Sequence, residues 1–149
     1  MTEVLFYHLQ NAPLERVLPQ LLERSLERGW RAIVRAGGAE RLEALNNALW
    51  TYSDDSFLPH GSCDDGPPET TPIFLTTEDE NPNGAKVLFL VDGAGPGPLD
   101  GYERCVLMFD GRDDTALGSA REHWKALKAE GHDATYWQQN GAGKWEKRA

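Results

Sequence analysis

Short apolar runs alternate with amphipathic segments along the first half of this chain. Apolar runs bounded by turn-forming residues predict buried strands, and leucines spaced three and four apart predict helices. The segments in order are a strand VLFYHL at 4–9, a helix at 14–28 that Gly29 ends, a strand RAIVR at 31–35 and a helix AERLEALNNALW at 39–50. Because Pro19 falls inside the first helix, we expect regular helix from about Pro19 onward, with a looser turn before it.

The second half adds further strands and one long helix. The predicted strands are PIFLT at 72–76, VLFLVD at 87–92 and RCVLMFD at 104–110, followed by a helix from Thr115 to Glu130 and an edge strand at 134–138. Alternating strands and helices favour parallel pairing with right-handed crossovers. The sequence therefore predicts a single three-layer α/β/α domain over residues 1–149 with a mixed, mostly parallel sheet.

Charge and cysteine content limit the partners and the compartment. The net charge of −9 argues against a general nucleic-acid coat protein, so no direct nucleic-acid binding is expected. Two cysteines, Cys63 and Cys105, form neither a disulfide framework nor a metal quartet, which favours a reducing cytoplasmic compartment. The N-terminus lacks the basic region of a signal peptide, and no apolar run approaches the roughly 18 residues of a membrane span.

The segment VLFLVDGAGPG imitates a dinucleotide-binding fingerprint. That motif requires three glycines running directly into a helix whose N-terminus holds the pyrophosphate. Here Gly97 comes one position early, and Pro96 and Pro98 remove backbone donors. A loop between two strands is favoured, and a small nucleotide-binding α/β enzyme that uses Gly93–Gly97 as a phosphate loop is the alternative.

Metal and catalytic signals are weak. His60 and Cys63 have the spacing of two metal ligands, but the sequence offers no second pair to complete a tetrahedral site. No nucleophile elbow occurs, and the paired aspartates lie in turn contexts. The sequence therefore predicts no metal, no cofactor and no catalytic residues.

Two surfaces deserve a functional hypothesis. The first is LWTYSDDSFLPHGSCDDG at 49–66, which places Trp50, Phe57 and Pro59 among turn formers. Aromatic side chains in such a segment either pack into the core or anchor an interface, and the residues alone favour burial slightly.

The second surface is the last helix, DTALGSAREHWKALKAEG. Two stripes along this helix have helical spacing. The core-facing stripe consists of Leu117, Ala120, Trp124 and Leu127, and the basic stripe consists of Arg121, Lys125 and Lys128. The basic stripe is either a solvated face, which is the commoner case, or a pocket for a short acidic peptide with an apolar end.

The order of these motifs resembles the chi subunit of the bacterial DNA polymerase III clamp-loader complex. The resemblance runs nearly end to end. It rests on VLFYHL, on ALW followed seven residues later by FLPH, on RCVLMFD, and on AREHWKALKAEG followed by YWQQ. It implies a non-catalytic replication adaptor of Rossmann-like shape, without a functional phosphate loop.

The resemblance also assigns a partner to each surface. Chi proteins use the region matching Trp50 and Phe57, next to Pro59, to bind the psi subunit of the clamp loader. They bind the acidic, Phe-ended C-terminal tail of single-stranded-DNA-binding protein elsewhere, through residues that match the last helix: Arg121, with Trp124, Lys125 and Lys128 nearby. The Gly/Pro segment at 93–98 and the basic, Trp-containing C-terminal tail depart from the better-known members.

Overall fold

The structure, a computed structural model, describes residues 2–9, 14–51, 60–61, 68–91, 93–95, 97, 99, 101–139 and 144–148, without the side chains of residues 50, 51 and 68. The strands are β1 (Glu3–Leu9), β2 (Ala32–Ala36), β3 (His60–Gly61), β4 (Ile73–Thr76), β5 (Val87–Val91), β6 (Arg104–Asp110), β7 (Asp133–Gln139) and β8 (Trp145–Lys147). The helices are α1 (Leu14–Glu27), α2 (Ala39–Thr51) and α3 (Asp114–Ala129), with a 3-10 turn at Pro68–Thr70.

The strands form one eight-stranded sheet in the order β3-β4-β2-β5-β6-β1-β7-β8. Every pairing is parallel except the last, between β7 and β8. The sequence-based prediction of an α/β fold with a mixed, mostly parallel sheet is confirmed.

The direction of each crossover places the helices on opposite faces of the sheet. The β1-to-β2 and β6-to-β7 connections run in opposite directions across the sheet, and right-handed crossovers then put α1 and α3 on opposite sides. One apolar cluster accordingly joins α1 and α2 to one face, and a second joins α3 and the segment around Leu99 and Tyr102 to the other. The domain has three layers.

Adjacent strands β1 and β6 mark the topological switch point, because their helices leave toward different faces. In open α/β sheets the crevice at the carboxyl ends of such strands is the usual ligand site. A cavity of about 550 Å³ lies there, between the end of β1 at Leu9 and the end of β6 at Asp110.

Two predicted elements differ from the structure. The first helix begins at Leu14 rather than near Pro19, and Pro19 lies buried within it. The missing Pro19 N–H costs one early helical bond, and burial of Leu18 and Leu22 on the same helix outweighs that loss. The strand predicted as an edge is not one, since β7 pairs with β1 on one side and with β8 on the other.

A buried arginine organises the glycine- and proline-rich region after β5. The Arg35 side chain, 5 % exposed, donates from Nε to the Glu78 carbonyl oxygen at 3.1 Å and from Nη1 to the Gly95 carbonyl oxygen at 3.2 Å. Its Nη2 is 3.0 Å from Asp79 Oδ1. Charge-assisted bonds to two different loops explain how this segment is fixed without helix or strand.

Candidate functional site

Helix α3 is anchored at both ends, which fixes the side chains along its length. The Asp113 carboxylate caps the N-terminus by accepting hydrogen bonds from the backbone N–H groups of Thr115 at 3.0 Å and Ala116 at 3.3 Å. At the other end, Gly131 adopts a φ of 91°, a conformation that ends helices. Ala120 and Leu127, each 2 % exposed, hold the inner face against the sheet.

Trp124 lies at the border between this core and the surface. Its ring meets buried Phe6 edge-on, with centroids 5.3 Å apart, and Tyr136 of β7 at 6.1 Å. The Nζ atom of Lys128 lies 4.7 Å from the centroid of the Trp124 ring, within cation–π range. The indole is therefore held on one side by apolar packing and on another by a cation.

Tyr136 joins this border to the end of β1. Its hydroxyl lies 2.6 Å from His8 Nδ1, and its ring centroid is 6.0 Å from that of Phe109. Burial raises the pKa of Tyr136, and the positive charge of nearby Arg121 lowers it in part.

The structure brings together three of the four residues predicted on the last helix. Arg121, Trp124 and Lys128 share one flank of α3 with Tyr136, and we name these four residues the α3–β7 surface. Lys125 is exposed one turn from Arg121, at the outer margin of that flank. No described acidic side chain forms an ion pair with Arg121 or Lys125.

Sequence reasoning missed Phe6, His8 and Tyr136. Phe6 and Tyr136 are direct neighbours in the parallel pairing of β1 with β7, although 130 positions separate them. Only the alternation of β7, which puts Tyr136 on the same face as buried Ala134, could have pointed to that residue.

The cavity at the switch point lies on the opposite flank of α3. Ala116, Ser119 and His123 line it, and none of Arg121, Trp124, Lys125 and Lys128 does. The Asp113 carboxylate already occupies the N–H groups that would hold a phosphate at this helix. Gly93 lines the cavity, yet no described residue between Gly93 and Arg104 is helical. Within the described residues, the cavity therefore lacks the uncapped helix N-terminus that a phosphate loop at Gly93–Gly97 requires.

The proposed docking region falls mostly outside the described residues. Trp50 lies in the last turn of α2, and its side chain, Phe57, Pro59 and Cys63 are not described. His60 is buried, with Nε2 3.3 Å from the Asn46 carbonyl oxygen. Within the described part of the chain, no group of three His, Cys, Asp or Glu side chains is arranged to hold a metal ion. Nor is any helix there long and apolar enough to cross a bilayer.

Fold and site together define a wound, Rossmann-like α/β protein that presents a cationic, aromatic surface beside its last helix. The family model for the DNA polymerase III chi subunit (HolC) matches residues 1–135. The chain belongs to the DNA polymerase III chi subunit family, whose members are accessory subunits in DNA replication.

A relative in Rickettsia prowazekii (strain Madrid E), the "Probable DNA polymerase III subunit chi", is 34 % identical over 91 residues. The match covers 61 % of this chain and 55 % of the relative, so the chain spans about half the length of the curated relative it matches.

Proposed function

We propose that this chain is a non-catalytic adaptor that links DNA polymerase III to single-stranded-DNA-binding protein by holding the acidic C-terminal tail of that protein. The observation that carries the proposal is the α3–β7 surface, where Arg121 and Lys128 border the aromatic rings of Trp124 and Tyr136. In a chain of net charge −9, cations next to partly exposed rings match a peptide that is both acidic and Phe-ended.

Each group has a separate task in this proposal. The guanidinium of Arg121 pairs with the terminal carboxylate, for which its planar fork is suited. The terminal Phe of the tail packs against the partly buried Leu117 and Trp124. Lys125 and Lys128 attract the acidic residues that precede the Phe, through longer-range and screenable interactions.

The proposal assigns a second partner to the surface at residues 49–66. The region of Trp50, Phe57 and Pro59 docks the psi subunit where one exists, or another protein that takes its place, and so tethers the adaptor to the clamp loader. The whole of 1–149 acts as one domain in the cytoplasm, with no cofactor, metal or membrane contact.

The test is fluorescence anisotropy with a labelled tail peptide. We expect Arg121→Ala to cost roughly 2 kcal/mol or more, because a carboxylate is left partly desolvated and unpaired. Arg121→Lys should restore only part of this, since a point charge cannot reproduce two parallel bonds. Arg16→Ala, at an exposed position on α1, is the matched control and should bind as wild type does. Equal affinities for all variants would place the tail elsewhere.

A measurement of nucleotide binding distinguishes the proposed adaptor from the alternative, a nucleotide-binding enzyme that uses Gly93–Gly97 as a phosphate loop. Calorimetric titration with ATP and NAD should give no heat of binding. A stoichiometric signal would instead favour the nucleotide-binding alternative.

A further inference from the structure

The described helices α1 and α2 cover only part of the sheet face opposite α3. On that side α1 and α2 pack mainly against β2, β3, β4 and β6. Strands β1, β7 and β8 complete the face, and their pairing register aligns the side chains that point to it. Tyr7 neighbours Trp137, Trp137 lies opposite Lys147, and Gln139 lies opposite Trp145.

Three partly exposed aromatic side chains form the floor of this open area. Tyr7 and Trp145 meet edge-on with ring centroids 4.8 Å apart. The indole Nε1–H of Trp137 donates to the Thr135 hydroxyl at 3.0 Å, which holds the ring along the strand. Trp137 belongs to neither apolar core cluster. The Trp137 ring is therefore fixed on the sheet without packing into either core cluster.

Cations border this floor. Burial raises the pKa of Tyr7, the positive charges of Arg104 on β6 and Arg24 on α1 lower it in part, and the negative charge of Glu3 raises it. The guanidinium of Arg104 also lies 5.3 Å from the ring centroid of Trp30. At the far side, Lys147 is the direct cross-strand neighbour of Trp137.

Another arginine extends the same border. Arg28, at the end of α1, lies 5.2 Å from the Trp30 centroid, so Trp30 is flanked by two guanidinium groups. Among the described strand residues of this face, Glu3 and Asp133 are acidic and lie at the N-terminal edge, and Glu23 and Glu27 of α1 adjoin its arginines in sequence. Glu3 is paired with Arg104 at 2.6 Å, and Asp133 is the register neighbour of Glu3. Arg24, Arg28 and Lys147 form no ion pair with a described acidic side chain, in a chain of net charge −9.

We propose that this corner, formed by Tyr7, Trp137 and Trp145 with Arg24, Arg28 and Lys147, binds single-stranded nucleic acid. Ring faces fixed on a sheet stack with unpaired bases, and flanking cations follow the phosphates, which is the combination that sequence-tolerant single-strand binders use. A duplex keeps its base faces stacked internally, so it gains only the charge contribution. The expectation of no nucleic-acid contact rested on the net charge, whereas binding depends on the local arrangement of cations.

The experiment is fluorescence anisotropy of a labelled oligothymidylate against the full chain at low ionic strength. We expect saturable binding that weakens with salt and exceeds the affinity for a duplex of equal length. Arg24→Glu should weaken binding about tenfold, whereas Arg16→Glu, the same change at another exposed position of α1, should change it less than twofold. Trp137→Ala should weaken binding about tenfold, and Trp137→Phe should restore most of the affinity.

Three results would overturn the proposal. Absence of oligonucleotide binding at low salt would assign this face to a protein partner instead. Equal losses of oligonucleotide affinity for Arg24→Glu and Arg16→Glu would show that binding depends only on the overall charge of the protein. Equal affinity for duplex and single strand would remove the role of stacking. Because Arg24 is exposed on a helix surface, its variant remains informative even where a tryptophan variant fails to fold, which circular dichroism reports.

Discussion

The imidazole Nδ1 of His8 lies 2.6 Å from the hydroxyl of Tyr136, and this contact joins the end of β1 to β7 directly beside the α3–β7 surface. On its other side the His8 ring is packed so closely against Gly111 that a Cβ at that position would overlap it. The orientation of Tyr136, and with it one wall of the proposed tail site, therefore depends on the absence of a side chain at residue 111.

The first prediction concerns this close approach. Gly111→Ala should lower the free energy of unfolding by roughly 1–3 kcal/mol, because the new methyl group must displace the imidazole or shift the β6–α3 turn. Gly118→Ala is the control within α3, where an added Cβ meets nothing within 4 Å, and should be stabilising by about 0.5–1 kcal/mol. Urea denaturation of both variants measures the difference. A Gly111→Ala variant as stable as wild type would show that the turn accommodates the methyl group freely.

The titration of His8 gives a pH dependence. Burial lowers the pKa of His8 below its usual 6.5, and the negative charge of Asp110 opposes this in part. Between the folded and unfolded pKa values the unfolded chain binds more protons, so the free energy of unfolding should fall as the pH drops through that window. Above the pKa that His8 has in the unfolded chain, the contribution of His8 to the free energy of unfolding is fully present. Urea midpoints of wild type and His8→Gln should therefore diverge on acidification, and parallel curves would contradict the assignment.

The two lysines of the proposed tail site should respond to salt differently from the apolar contact. Lys125→Gln and Lys128→Gln should each weaken tail binding by about 0.3–1 kcal/mol at roughly 0.1 M salt. These losses should nearly vanish at about 1 M, where the Debye length is near 3 Å, while binding through the Phe persists. Peptide anisotropy over a salt series measures this. Mutational losses that persist undiminished at high salt would contradict the screened role of the lysines.

Phe57 tests the docking region. Phe57→Ala should leave the thermal unfolding transition close to that of wild type but weaken association with the clamp loader by about 2 kcal/mol, the size expected for an interface anchor. Ser56→Ala, at the preceding position, should change neither quantity. If the Phe57 variant fails to fold, the side chain belongs to the core and the docking proposal loses its anchor.

Replacement of Arg35 should be costly. Arg35→Met would leave the Glu78 and Gly95 carbonyl oxygens without their buried donor, and we expect a loss of about 2–3 kcal/mol in the free energy of unfolding. Arg31 also donates to loop carbonyl oxygens but is exposed, so water can replace it, and Arg31→Met should cost less than about 1 kcal/mol. Similar losses in the free energy of unfolding for the two variants, measured by chemical denaturation, would mean that the burial of Arg35 does not determine its contribution to stability.

Local patterns predicted most of the fold, because the apolar runs and leucine spacings act within single elements. The β6 prediction at 104–110 matches the strand residue for residue, and the α3 prediction is one residue late at each end. The contact between His8 and Tyr136 could not be predicted, since it depends on the pairing of strands that are far apart in sequence. Strand β8 was missed because three residues carry too little periodicity to be distinguished from a polar tail.

That three-residue strand has a consequence for self-association. Without Trp145–Lys147, the seven-residue β7 would present an unpaired row of N–H and C=O groups next to the partly exposed ring of Trp137. Long, apolar unpaired rows of this kind recruit strands from other copies and seed aggregates. Strand β8 replaces that row with a shorter one that carries Glu146 and Lys147, charges that discourage strand addition. The three residues of β8 therefore reduce the tendency of this protein to self-associate through the edge of β7.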